Sequence, residues 1–458
     1  MADSREPVAR VLRRWGDAAS VAPRLMLGGV REAVIGVPLA ILPTLAREGP
    51  RELPTKLAGD ALARILGRSG PGLVKLGQLL ATRADLLPGT LCRRLKALYT
   101  EGRPMSREDL RRTLSQAYPD PSPFQELDPV PIAVGSIAQV HRARLLEGPR
   151  VVVKVVRPGI RAALRRDMNA LLVFLDLALR ILSGAHPATR TLIHDALEDL
   201  ARALEIETNL VNEAEAFVEF RLRLSRNRRV YVPRCYREWS TREVLVLEEL
   251  RGTPLRTLGQ TGSPDASRAR QTARLALREI LGQIFEEGRF HADPHAENLW
   301  LLDDGRLGMI DLGLTGQLSL AERQRLARAA RGLLARDAEA ASRIVLELGC
   351  PPPDFSAEPF LRDVREVLAR SRSAKDAEPS AAMLDGVVNE LLGVAGRHGI
   401  YLPPSTALMI RSVVTIEGVA RSLDPEIKLL PAALPVLLRA LRPRLLRWSY
   451  WRGAAERD

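Results

Sequence analysis

The fold of this chain is decided by two short stretches, HADPHAEN at residues 291–298 and DLG at residues 311–313. Asp293 precedes Asn298 by five residues and Asp311 by eighteen. In a kinase-type phosphate and magnesium site, an Asp that faces the nucleophile is followed, in this order, by an Asn and a second Asp that bind Mg²⁺. The spacing therefore predicts such a site, with Asp293 as the catalytic carboxylate and Asn298 and Asp311 as metal ligands.

The residues between the two stretches strengthen this prediction. LWLLDDGRLGMI, residues 299–310, is typical of two short apolar strands joined at Asp304-Gly305. A hairpin returns the chain to its starting point, so it would bring Asn298 and Asp311 together. The order of these residues, their spacing and the predicted hairpin between them together favour the site more strongly than either stretch does alone.

A kinase-type site also needs a lysine and a loop for the phosphates. Lys154 is one of six lysines and lies in the second strand of a predicted antiparallel hairpin, residues 140–145 and 151–156. The alternative is an edge-strand lysine that faces solvent. The loop at residues 131–141 is rich in small residues, so its backbone can approach phosphates, although it lacks the G-x-G-x-x-G pattern. No G-x-x-x-x-G-K-[ST] segment occurs, which argues against a Walker-type ATPase.

Periodicity and composition divide the chain into four parts. Residues 1–115 are predicted to be helical, 116–250 a β-rich lobe with one long helix, 251–430 a helical lobe, and 431–458 a basic aromatic tail. A capped helix is predicted to begin near Ser106. This order predicts an α+β, two-lobed protein-kinase-like fold with a helical N-terminal extension.

The net charge of +13 is compatible with nucleic acid, an anionic membrane surface or anionic ligands as partners, and also with a coding bias towards Arg. No aromatic-basic motif accompanies the charge, so nucleic acid is not expected as a partner.

Residues 434–451 combine Leu, Arg and Trp without an acidic residue, which fits a lipid interface or a terminal helix packed on the body. The longest apolar run, residues 33–42, is too short to span a bilayer, and no signal peptide is evident.

Several stretches together resemble the UbiB family of atypical kinase-like proteins. They cover roughly residues 60–430 and are LVKLGQLLATRADLLP (73–88), PIAVGSIAQVH (131–141), KVVRPG (154–159), HADPH (291–295) and the C-terminal stretch from Arg411 to Pro425. The resemblance implies ATP and Mg²⁺ as cofactors. It implies that an extension folds over the active site and carries the K-x-G-Q motif with Lys75, Gly77 and Gln78.

The resemblance also implies roles in nucleotide binding. The nucleotide loop would consist of Ala133, Val134, Gly135 and Ser136. Glu248 would lie at the hinge that holds adenine, and Lys154 would bind the phosphates and pair with a helix glutamate.

The glutamate that would pair with Lys154 lies in an acidic cluster at residues 205–215. Glu207 fits the family's E-x-D motif best, and Glu213 then becomes the partner of Lys154. Glu205 and Glu215 are alternatives for that partner, and a solvated helix face is the alternative for the whole cluster.

Six positions depart from the family pattern, two of them in Ala296-Glu297, which stands where Pro-Gly is usual. Asn209 stands where Asp is usual, and Ala216 where Asn is usual. Gly135 replaces an alanine, and glycine allows backbone conformations that alanine resists. Leu312 replaces the Phe of a D-F-G triplet. Glu297 adds a carboxylate beside the metal site, where it either alters metal affinity or points outward.

The resemblance implies a function as an ATP-binding, Mg²⁺-dependent atypical kinase or ATPase that supports isoprenoid-quinone (ubiquinone-type) biosynthesis. The expected partners are an anionic or quinone-precursor lipid membrane surface and quinone-biosynthesis enzymes. The expected location is cytoplasmic, peripheral on the inner face of the cell membrane. The alternatives are a phosphotransferase acting on a small molecule or protein, and a nucleotide-sensing scaffold without turnover.

Overall fold

The computed structural model describes residues 104–119, 122–146, 148–167, 169, 208–259, 266–326, 338–353, 355–377, 384–400, 402–427, 435–436 and 438–440. Lys75, Gly77 and Gln78 of the K-x-G-Q motif, and also Glu207, lie outside these residues. The chain divides into two compact units, one of residues 1–219 and 233–249 and the other of residues 220–232 and 250–458. The domain boundaries predicted at 115, 250 and 430 stay predictions.

The first unit is built on an antiparallel five-stranded sheet. Its strands are β1 (Phe124–Leu127), β2 (Ala133–Val134), β3 (Ala138–Leu145), β4 (Arg150–Val156) and β6 (Val244–Glu248). Four strands follow the order β1-β3-β4-β6, and β2 also pairs with β3. The predicted hairpin of β3 and β4 is confirmed, with Val140 opposite Lys154.

One face of this sheet carries the core of the first unit. Helix α1 (Arg107–Ala117) packs there, capped as predicted by the Ser106 side chain, which accepts a hydrogen bond from Asp109 N at 3.0 Å. Three alternate residues of β4 are fully buried in this core, namely Val151, Val153 and Val155. Because side chains alternate along a strand, Lys154 lies on the opposite face.

In the part of the first unit that the structure describes, two helical segments follow β4. Residues 160–167 are helical, and α2 (Leu210–Arg223) begins at Leu210 and continues into the second unit. Asn209 Oδ1 accepts a hydrogen bond from Val211 N at 3.3 Å, so this residue helps to start the helix without the charge of the usual Asp.

The second unit is mainly helical. Among the described residues, its helices include α3 (Leu255–Leu258), α4 (Ala266–Gly282), a π-helix (Gln283–Glu287), α5 (Ala338–Leu348), α6 (Ala357–Ala377), α7 (Leu384–Arg397) and α8 (Pro404–Leu423), and residues 320–326 are also helical. Helices α4 and α8 pack against each other. Apolar residues recur at helical spacing on the buried face of α4, as expected for a core helix: Ala269, Ala273, Ala276 and Ile280.

Six short strands complete the second unit. They are β5 (Val230–Tyr231), β7 (Gly252–Pro254), β8 (Arg289–His291), β9 (Leu299–Leu302), β10 (Leu307–Met309) and β11 (Thr315–Gln317). One sheet has the order β5-β10-β9-β7, and β8 pairs with β11. The predicted hairpin of β9 and β10 is confirmed, with Gly305 at φ +84° in its turn. None of the described helices is both long and apolar enough to cross a bilayer.

Candidate functional site

Lys154 and Glu213 form a largely buried ion pair in the first unit. Lys154 Nζ lies 2.9 Å from each of Glu213 Oε1 and Oε2. The side chains are 23% and 5% exposed, respectively. Glu215, an alternative partner, instead pairs with Arg237 at the surface, and Glu205 lies outside the described residues. The first turn of α2 therefore presents Glu213 to the lysine of β4.

The nucleotide loop proposed from the sequence is a tight connection between β2 and β3. Ala133 and Val134 pair with β3, and Ser136 is half-buried beyond them. Gly135 N donates to Ala138 O at 2.8 Å. Gly135 has no positive φ, so the conformational freedom that glycine offers is not used there. The absence of a side chain matters for packing instead, because a Cβ at this position would lie only 3.2 Å from Ala138 O.

Glu248, the predicted adenine hinge, ends β6 and is tied to Arg234 through two hydrogen bonds. Its backbone N donates to Arg234 O at 2.9 Å, and its Oε2 accepts from Arg234 N at 3.0 Å. The end of β6 is therefore fixed by both the backbone and the side chain of one residue.

In the second unit, Asp293 lies in the loop that joins β8 to β9. Its carbonyl oxygen accepts from His295 N at 2.8 Å and from Asn298 Nδ2 at 3.2 Å. Because the amide nitrogen donates here, Asn298 Oδ1 is the atom left for a cation. Ile310 N donates to Asn298 O at 3.0 Å, so the hairpin brings the neighbouring Asp311 beside Asn298.

The chemistry of Asn298 and Asp311 fits magnesium. An amide oxygen and a carboxylate are hard oxygen ligands, and Mg²⁺ usually takes one or two carboxylates together with substrate phosphates. Asp311 Oδ1 accepts from Gly313 N at 2.9 Å, which fixes the orientation of the carboxylate. Leu312 is 1% exposed, so the apolar position after the Asp is filled and buried.

Sequence reasoning missed Arg411. Its Nη2 lies 2.7 Å from Asp293 Oδ2, and the two side chains are 16% and 26% exposed. The next residue of α8, Ser412, donates from Oγ to His291 O at 2.7 Å. The only sequence signal was the position of Arg411 at the start of the C-terminal stretch, 118 residues from Asp293. Helix α8 thus holds the loop of Asp293 at two neighbouring points.

The histidines on either side of Asp293 support the loop. His291 is fully buried, and burial lowers the pKa of its imidazole, which favours the neutral form. Its Nδ1 accepts from Asp293 N at 3.4 Å, and its backbone N donates to Gln283 Oε1 at 3.1 Å. His295 Nδ1 accepts from Glu297 N at 3.3 Å. These contacts agree with a structural role for both rings.

Glu297 points outward from the catalytic loop. Its carboxylate forms an ion pair with Arg256 Nη1 of α3, and both side chains are more than half exposed. Of the two alternatives for this residue, the structure therefore favours the outward orientation.

Glu297→Gln is expected to change little, because exposed ion pairs contribute about 0–1 kcal/mol. The free energy of unfolding should fall by no more than about 0.5 kcal/mol, and the Mg²⁺ dependence of nucleotide binding should stay within about twofold. Thermal unfolding and a Mg²⁺ titration monitored with a fluorescent nucleotide check both values. A roughly tenfold change in the Mg²⁺ dependence would place Glu297 in the metal site after all.

Comparison with known families assigns the chain. Residues 98–345 match the ABC1 atypical kinase-like domain. The chain belongs to this family. Residues 382–428, which include Arg411, match the UbiB helical domain, so the resemblance to the UbiB family is confirmed. An ABC1 domain with the sheets and helices described above also confirms the predicted α+β kinase-like fold.

Individual relatives agree with the ABC1 assignment. The protein slr0889 of Synechocystis sp. is 31% identical over 82% of this chain and 92% of its own length. A protein of Tolumonas auensis named "Probable protein kinase UbiB" is 28% identical over 98% of this chain and 83% of its own length. The structure of Rv3197 from Mycobacterium tuberculosis in complex with erythromycin covers 86% of this chain and 98% of its own, with a TM-score of 0.55. At 21% identity, that likeness shows the fold alone.

Proposed function

We propose that this chain is an ATP-binding, Mg²⁺-dependent atypical kinase or ATPase that supports isoprenoid-quinone (ubiquinone-type) biosynthesis at a membrane surface. The observation that carries the proposal is the buried Lys154–Glu213 ion pair. Kinase-type phosphoryl transfer requires a lysine held in this way by a helix glutamate. Relatives named UbiB support the link to quinone biosynthesis.

Each group of residues has a role in this proposal. Bound Mg·ATP supplies the transferable phosphoryl group and neutralises its charge. Lys154 holds the α- and β-phosphates under the loop at residues 133–136, and Glu248 lies at the adenine. Asn298 and Asp311 hold the metal ion.

Asp293 serves as the group that receives a proton from the attacking hydroxyl. Arg411 binds Oδ2 of this carboxylate, which orients it and leaves Oδ1 for the hydroxyl. If the K-x-G-Q extension covers the site, as the family resemblance implies, water or a lipid-sized acceptor is favoured over a protein.

The proposed location is the cytoplasm, peripheral on the inner face of the cell membrane, with quinone-biosynthesis enzymes as partners. The aromatic part of the tail, at residues 448–451, lies outside the described residues. At its described beginning, Leu438 is exposed and Arg439 Nε lies 3.0 Å from Glu286 Oε1. The exposed Leu438 suits the proposed contact with lipid, whereas the charge of Arg439 is already paired with Glu286.

The decisive assay follows ADP release and phosphoprotein formation, with and without anionic liposomes. ADP release without phosphoprotein supports the proposed ATPase. Transfer of label to a small molecule or protein supports a phosphotransferase, the second candidate. Nucleotide binding without any turnover would contradict both and indicate a scaffold.

Arg411→Met is expected to lower kcat for ADP release about 30-fold, because a charge-assisted hydrogen bond is worth about 2 kcal/mol. The KM for ATP should stay within about threefold, since Arg411 contacts the loop of Asp293 and not the proposed phosphate-binding residues. Steady-state kinetics separate the two constants. Arg370→Met removes an arginine that is 62% exposed and paired with Glu390, and it is the control. Equal losses in both variants would contradict a role for Arg411.

A further inference from the structure

The segment that follows β4 carries two arginines, Arg157 and Arg161. It comprises residues 157–161, Arg-Pro-Gly-Ile-Arg, begins three residues after Lys154, and leads through a turn at residues 158–159 into the helical residues 160–167. Gly159 has φ +72°, and Ile160 is buried at 3% exposure. A positive φ suits glycine, and proline restricts the backbone of its own position, so the turn has a defined shape.

Arg157 binds the loop between β2 and β3. Its Nε and Nη2 lie 3.2 and 2.9 Å from Gly135 O, so both donate to a single carbonyl. The backbone N of Arg157 donates to Ile137 O at 2.8 Å. The loop is therefore attached to the end of the strand that carries Lys154.

Arg161 binds the residues that lead into α2. Its Nε and Nη2 lie 3.3 and 2.8 Å from Thr208 O, two residues before the helix begins. Nη2 also lies 2.8 Å from Arg242 O, and Nη1 lies 2.7 Å from Glu243 Oε1. Leu210 N donates to the same Arg242 carbonyl at 3.1 Å. The guanidinium thus joins the start of α2 to the beginning of β6.

We propose that Arg157 and Arg161 are positioning residues that fix the nucleotide loop and Glu213, respectively, relative to Lys154. The inference rests on the proposed function and adds two residues to it. Glu213 lies one turn into α2, so its distance from Lys154 depends on where that helix starts. A planar guanidinium can bind two or three acceptors in fixed directions, and a lysine ammonium cannot reproduce this arrangement.

Hydrogen–deuterium exchange on the nucleotide-free full chain tests the two contacts. Arg157→Lys is expected to raise amide exchange about tenfold in residues 132–137 and not in residues 208–216. Arg161→Lys is expected to show the opposite pattern. Arg166→Lys, which changes an exposed arginine on the same helix, should alter neither segment.

Nucleotide kinetics provide the second readout. Arg157→Lys is expected to raise the KM for MgATP and the Kd for MgADP about tenfold with kcat nearly unchanged. Arg161→Lys is expected to lower kcat about tenfold with a smaller change in KM, because Lys154 and Glu213 are misaligned.

Two results would overturn the inference. The first is an unchanged amide exchange rate, in either arginine variant, in the segment assigned to that arginine. The second is an equal rise of the exchange rate in both segments and in β3, together with a loss of thermal stability. The second would show that the arginines only maintain the fold. If wild-type protein neither binds MgADP nor releases ADP, the proposed function fails, and the exchange pattern still decides whether the two contacts hold these segments.

Discussion

Asp311→Asn is expected to reduce Mg²⁺-dependent ADP release about 1000-fold, because a metal ion contributes several kcal/mol to stabilising the charge of the transition state. Asparagine keeps an oxygen that can accept the hydrogen bond from Gly313 N, which measures 2.9 Å in the native protein. The fold around the loop should therefore survive while the negative charge is lost. Steady-state ADP release at several Mg²⁺ concentrations measures the effect.

The control is Asp303→Asn, which changes an exposed aspartate in the turn of the same β9–β10 hairpin. It should keep full turnover and the native Mg²⁺ dependence. Nucleotide binding measured in EDTA should be the same for both variants, since no metal takes part. Retention of Mg²⁺-dependent turnover within about threefold in Asp311→Asn would exclude Asp311 as a metal ligand.

The features that could be predicted from the sequence depend on local patterns. The β9–β10 hairpin follows from two apolar runs separated by Asp304 and Gly305, and the structure has that glycine at φ +84°. The β3–β4 hairpin follows in the same way and assigns Lys154 to a strand. Strands β5, β7, β8 and β11 contain two or three residues each, too few to show an alternating pattern, and they were missed.

The features that could not be predicted depend on contacts between distant residues. Glu213 was the partner of Lys154 that the sequence favoured, but the sequence left Glu205 and Glu215 as alternatives, and only the packing of α2 beside β4 places Glu213 at 2.9 Å from Lys154. The direction of Glu297 depends on Arg256, 41 residues earlier.

Gly135 shows a different kind of error. The sequence suggested conformational freedom as the reason for a glycine there. The backbone has no positive φ, and the relevant quantity is the space between its Cβ position and Ala138 O. The presence of a glycine in the sequence did not show whether its conformational freedom or its small size matters here, because both properties follow from the missing side chain.

Lys154→Met and Glu213→Leu are each expected to destabilise β4 by about 3 kcal/mol, because removing one member of a buried ion pair leaves the other charge without its counterion. Glu213 is 5% exposed and Lys154 23% exposed, so solvent compensates little. The double variant should cost about 3–4 kcal/mol rather than the about 6 kcal/mol of two additive effects, since the apolar pair leaves neither charge without its counterion. The coupling in this cycle is expected to be about 2–3 kcal/mol.

Native-state hydrogen exchange of residues 150–156 is the suitable measurement, because a chain with two compact units need not unfold in one step, and exchange reports the opening of β4 itself. Arg142→Met removes an arginine that is 59% exposed and paired with Glu249 in the same unit, and it should cost less than about 1 kcal/mol. Additive single effects, without coupling, would contradict a buried ion pair. A coupling of the expected size in the nucleotide-free protein would show that Lys154 is held by Glu213 before any phosphate arrives. Nucleotide would then meet a preorganised ammonium, and binding energy would not be needed to bring α2 to the lysine.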